Sequence, residues 1–110
     1  MTWYNAIMTT LTIDASSNAG EMIALIRSAI GSEIAHLELA LAQARRRLEV
    51  FEHRYHVTSA RFIEVMTAED LAGGDDEYVQ WAGEYHLMRR LQEKLAGLRA
   101  IEYRDASPPR

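Results

Sequence analysis

Phe51-Glu52-His53-Arg54-Tyr55-His56-Val57-Thr58-Ser59-Ala60-Arg61-Phe62 is the stretch on which the fold turns. Before it, apolar residues recur at Ile30, Ile34, Leu37, Leu41, Ala44, Leu48, Phe51 and Tyr55, in alternating steps of four and three. That is a heptad seam, the mark of a helix whose stripe lies along another helix. Beyond it a second stripe runs through Tyr78, Trp81, Ala82, Tyr85, Met88, Leu91, Leu95, Leu98 and Ile101. Between the stripes, His56-Val57-Thr58-Ser59 ends the first helix, and Thr58 or Ser59 caps a short one through Phe62, Ile63, Val65 and Met66. The expected fold is all-α: an antiparallel helical hairpin with a long first helix, a short helical elbow and a last helix.

Upstream of the seam, Asn18 and Glu21 have the spacing of a capping box that opens the first helix. Gly31-Ser32 is where that helix is open to a kink or break, since Gly weakens it and Ser can re-cap it. Unbroken, residues 21–55 span about 52 Å. Thr9-Thr10-Leu11-Thr12-Ile13-Asp14 alternates polar with apolar and reads as a short strand within an N-terminal extension, residues 1–17. A lone strand needs a partner, for instance its own copy in a dimer. Downstream, Thr67-Ala68-Glu69-Asp70 has capping-box spacing, Gly73-Gly74 reverses the chain, and Asp75 caps the last helix. Asp75, Asp76 and Glu77 occupy its first turn, where negative charge opposes the macrodipole. The hairpin domain is expected over 18–104 and a flexible tail over 105–110, which carries Pro108-Pro109.

One domain is expected from 110 residues, and aromatics at 8% allow only a thin core. There is no cysteine, hence no disulfide frame and no thiolate metal site. No apolar run approaches the roughly 20 residues that span a bilayer, and no secretory leader is visible, so the cytoplasm is the expected compartment. The net charge of −4 hides a segmented pattern: −3 over residues 1–44, +2 over 45–66, −6 over 67–88 and +3 over 89–110. A nucleic-acid binder gathers basic residues on one face, and the strand offers only Thr, Leu, Ile and Asp, so direct nucleic-acid binding is not expected. Arg45-Arg46-Arg47 splays around the helix and reads as solvation, with pairs such as Arg45 to Glu49.

Glu33 and His36 form a Glu-x-x-His pair, the spacing of carboxylate-bridged di-iron bundles, but a second such pair is missing from the chain. Glu49 and Glu52 each stand four residues before His53 and His56, and ordinary helix-surface pairing accounts for all of them. No nucleophile triad or phosphate loop is legible, and Gly73-Gly74 precedes acids that repel phosphate. Neither enzymatic activity nor a cofactor or metal is expected. Phe51, Tyr55, Phe62, Tyr78, Trp81 and Tyr85 read first as the core of the elbow, and aromatics are also the residues that hold protein interfaces.

Phe51-Glu52-His53-Arg54-Tyr55, then Thr58-Ser59-x-x-Phe62, then Gly74-Asp75-Asp76-x-x-x-x-Trp81-Ala82-x-x-Tyr85 resembles a pattern in small, mostly uncharacterised helical proteins of bacteria and archaea. Those proteins are similar to antitoxins of toxin–antitoxin gene pairs. The resemblance covers residues 34–100, with one departure: His56-Val57 stands where Gly-Met fits the pattern. It implies a non-enzymatic protein that binds and neutralises a cognate toxin through its hairpin. The contact residues expected on this reading are Asp76, Glu77, Tyr78, Trp81, Tyr85, Phe51 and Tyr55, an acidic elbow with aromatic anchors. The alternative is a structural coiled-coil oligomer without a toxin partner. Leu39, Val50, Ile63, Val65, Val79 and Leu87 do not all fit one seam, and such surplus predicts a dimer or higher oligomer.

Overall fold

The four-three seam becomes one side of a helix–helix interface. In the computed structural model, which describes residues 19–106, α1 runs over Ala19–Tyr55, α2 over Ser59–Val65, a single 3-10 turn over Ala68–Asp70, and α3 over Gly74–Ala106. Helices α1 and α3 lie antiparallel, and no strand occurs among the described residues. Ile34, Leu37, Leu41 and Ala44 of α1 close on Leu91 and Leu95 of α3, with Ile30, Ala40, Leu87, Met88 and Leu98 packed around them. Each fully buried aliphatic side chain in such a seam contributes about 1.5–3 kcal/mol. A second cluster, Leu48, Phe62, Leu71 and Trp81, fills the elbow.

The short elbow between the long helices imposes the antiparallel direction, and the charge blocks agree with it. The basic stretch of α1 lies against the acidic start of α3, where Arg54 pairs with Glu77 and Arg47 with Glu84 at 2.8 Å. The acidic middle of α1 lies against the basic end of α3, where Arg99 pairs with Glu38. The alternating charge blocks are thus largely complementary across the hairpin. Each exposed pair is worth under about 1 kcal/mol, but reversing the direction would set like charges together.

The element ends follow from local chemistry. Helix α1 ends with His56 in the left-handed region, φ 55°. The Val57 N–H then donates back to the Glu52 carbonyl at 3.3 Å, and Val57 packs into the elbow core. This is a Schellman ending. Thr58 caps α2 by accepting from the Arg61 N–H at 3.2 Å. In the 3-10 turn, the Asp70 carboxylate accepts the Thr67 N–H at 2.8 Å. The two glycines of the reversal have separate reasons. Gly74 has φ +63°, and a Cβ on Gly73 would stand 2.8 Å from the Glu77 Cβ.

Several expectations need correction. Gly31-Ser32 does not break α1, because the seam residues on either side, Ile30 and Ile34, are held by α3. The roughly 1 kcal/mol propensity cost of a helical glycine is smaller than that packing. Asp75 is not the cap of the last helix. Helix α3 begins at Gly74, and it is Glu77 whose carboxylate reaches back to the Gly73 N–H, at 3.0 Å. The helix also continues to Ala106, two residues into the expected tail. Ile63 and Leu87 are not surplus apolar surface, since they pack against the elbow and seam clusters. The strand over 9–14 and the Asn18 cap lie outside the described residues.

Candidate functional site at the elbow

Trp81 enters the elbow from the second turn of α3 and is fully buried, as is Phe62 of α2. Its indole lies parallel to the Phe62 ring with centroids 3.8 Å apart, and stacks with Phe51 at 5.3 Å and Tyr55 at 5.6 Å. Three elements therefore meet on one indole. Tyr78 leans on Phe62 from the side, at 5.0 Å and 55°. Aromatic pairs of this kind add about 0.5–1.5 kcal/mol beyond their buried area.

A buried indole needs an acceptor for its N–H. Trp81 Nε1 donates to Ser59 Oγ at 2.9 Å, and Ser59 Oγ donates in turn to Glu52 at 2.7 Å. The same Glu52 oxygen accepts the Ser59 backbone N–H at 2.8 Å, so one carboxylate from the end of α1 also secures the first residue of α2. A second network flanks the first. The Tyr55 hydroxyl donates to Glu77 and accepts the Ala72 N–H at 2.9 Å, while Glu77 also receives Arg54 and the Gly73 N–H. Among the described residues, no buried side-chain polar atom lacks a partner.

Glu77 is 7% exposed, yet its shelter comes from these immediate partners rather than from depth. The Tyr55 hydroxyl holds its carboxyl below the ordinary carboxylate value, helped by the Gly73 N–H and Arg54 and opposed by partial loss of water.

The seven expected contact residues are brought together, but not as a surface. Phe51, Tyr55 and Tyr78 are half-buried in the stack, Tyr85 packs at its margin, and of the seven only Asp76 is exposed. Trp81 lies in the elbow core, as its first reading has it, and both Trp81 and Glu77 face inward in this hairpin. The physical reason is that α1 and α2 supply the rings and the Ser59 acceptor that Trp81 needs, while α1 and the Gly73 N–H supply the donors that Glu77 needs. Ser59, Glu52 and Phe62 complete the site. The signal for Ser59 and Glu52 was weak, since a capping serine and a helical glutamate seven residues apart have no helical neighbour relation.

The surface of the elbow carries a different set. Glu69, Asp70, Asp75 and Asp76 are exposed, and Val79 on the outer side of α3 is 68% exposed. Asp75 and Asp76 stand four and three residues before Val79, so the three share one helix face. Of the residues weighed as metal ligands, Glu33 and His36 lie 3.7 Å apart on the surface, and Glu52 is engaged by Ser59. No group of three potential metal ligands converges among the described residues. None of their helices is long and apolar enough to cross a membrane. No protein-family model matches the chain, and neither a curated protein nor a solved structure shows significant similarity to it.

Proposed function

We propose that this chain is a non-enzymatic, antitoxin-like protein that binds and neutralises a toxin protein through the acidic outer face of its elbow. The observation that carries the reading is the patch formed by Asp75, Asp76 and Val79. It is exposed, although Glu77 and Glu84 of the same acidic block are engaged within the hairpin. A rigid, internally satisfied elbow presents this patch with little ordering cost on binding. A toxin that cuts or modifies RNA needs a basic groove for phosphates. Exposed carboxylates around an apolar centre suit such a groove, with charge steering the encounter and the valine losing water on docking.

The test is co-expression with the toxin-like product of a neighbouring gene. The wild-type chain is expected to form a stable complex and to relieve growth inhibition. Asp76→Asn combined with Val79→Ser leaves the aromatic stack untouched and is expected to retain helicity while weakening the complex at least tenfold. It should also flatten the salt dependence of association. Unchanged inhibition and salt response in that variant would remove the elbow face as the binding site. The competing reading, a structural oligomer without a toxin partner, is favoured by a separate exposed face on α1.

A further inference from the structure

The side of α1 turned away from α3 carries a second heptad register. Its positions are Glu21, Leu25, Ser28, Ser32, Ala35, Leu39, Ala42 and Arg46, in alternating steps of four and three. Seven of the eight are exposed and Ala42 is half-buried. Leu25 is 66% exposed and Leu39 58%, so the two leucines of this register touch little of the hairpin. The charged residues of this part of α1 stand beside the register, except at its two ends, where Glu21 and Arg46 are of opposite sign.

We propose that this face is where a second copy of the chain docks, with the two α1 helices antiparallel about a two-fold axis between Glu33 and Ile34. The register is its own complement in that arrangement. Leu39 falls opposite Ser28 of the copy, Leu25 opposite Ala42, and Ser32 opposite Ala35, so each leucine meets a small side chain. Glu21 falls opposite Arg46. The two leucine layers supply the apolar contact, the Ser32–Ala35 layer lets the helices approach closely, and each layer occurs twice by symmetry. Positions beside the seam bring no like charges together: Glu38 falls near Gly31, Arg45 near Ala24, and His36 near Ala29. The pairing also serves the start of α1. The three ion pairs across the hairpin bring Ala106, the last residue of α3, level with a point between Leu25 and Gly31. Between about two and three turns at the start of α1 run past α3, and short helical ends are marginal without tertiary packing. The acidic elbow face stays clear of this interface, so the inference does not rest on the proposed function.

Equilibrium sedimentation of the full chain at micromolar concentration tests it. The wild type is expected at twice the 12.5 kDa chain mass. Leu39→Glu should give the single-chain mass with the hairpin retained and helicity lowered only by fraying at the start of α1, because Leu39 lies outside both core clusters. Glu21→Arg and Arg46→Glu should each raise the dimer dissociation constant about tenfold, and the two together should restore it. The chain lacks cysteine, so cross-linking supplies an independent check of register. An oxidised mixture of Glu21→Cys and Arg46→Cys chains should form mixed disulfides and few like-with-like ones, because identical positions lie about 37 Å apart in this register. A monomeric wild type, or a dimer indifferent to Leu39→Glu and lacking the mixed disulfide, overturns the proposal. In the second case another face or residues 1–18 would hold the copies together. Toxin capture by the Leu39→Glu monomer is expected to survive, which separates failure here from failure of the elbow reading.

Discussion

His56 holds the tightest residue-level compromise in the chain. It occupies a left-handed conformation, φ 55°, in which a side chain costs roughly 1–2 kcal/mol and which glycine adopts freely. The helix ending it serves is nevertheless completed by Val57, which both returns its N–H to Glu52 and packs into the elbow. Glycine suits the backbone that this chain imposes on a histidine. His56→Gly is expected to raise unfolding free energy by about 1 kcal/mol, the relieved strain being partly offset by the greater freedom of glycine when unfolded. Urea denaturation at neutral pH measures it. A loss of stability would mean that the imidazole makes a contact worth more than the strain. The need for a left-handed residue is not written in His56 itself. It arises because the chain must leave α1 and enter α2 within three residues.

At the scale of elements, Glu77 ties α3 to the end of α1 and to the turn before it, and this clasp has a pH signature. Its folded pKa lies below the ordinary value of 4.5, with the Tyr55 hydroxyl as the main cause. The ionised form is thus favoured by folding. Its contribution is complete above the unfolded value and is lost as pH falls through the lowered folded value. The urea midpoint is expected to fall below about pH 4.5 in the wild type. Glu77→Gln should be less stable at pH 7 and show a shallower decline on acidification, and an equally steep decline would assign the acid response to other carboxylates. Much at this scale was legible beforehand. Leu37, Leu41, Ala44 and Leu48 announced the seam by spacing alone, and Thr58-Ser59 announced the elbow helix by its chemistry, with Thr58 proving to be the cap. Glu77 was not legible, because an acid in a first helical turn ordinarily faces water and opposes the macrodipole. Only the arrival of Arg54 and Tyr55, more than twenty residues earlier in the chain, turns it inward. Trp81 was legible as core but not in its degree of burial. Its place in a core was readable from the stripe, but its complete enclosure depends on Phe51, Tyr55 and Phe62 converging from two other helices.

The whole molecule explains a pattern that the chain displays only as alternating blocks. Negative, positive, negative and positive segments read in sequence as a puzzle about partners. Folded in half, they become Arg54 with Glu77, Arg47 with Glu84, and Glu38 with Arg99. Part of the acidity assigned to an external partner is thus used inside the hairpin, and the remainder is confined to its tip. Folding in half also has a kinetic consequence, which follows from the elbow stack. Trp81 meets Ser59 across 22 residues, whereas Arg99 meets Glu38 across 61. Closing the shorter loop first costs about 0.9 kcal/mol less entropy, and the stack rewards that closure at once. The chain is therefore expected to nucleate at the elbow and to zip toward the free ends of its helices. In stopped-flow circular dichroism, Trp81→Phe should act mainly by slowing refolding. Ile34→Val, far along the seam, should leave refolding nearly unchanged and speed unfolding. The reverse assignment would place the nucleus in the seam. On the expected route, a nascent chain can do little until the ribosome has released residue 81, and the hairpin then closes from its bend like a clasped book.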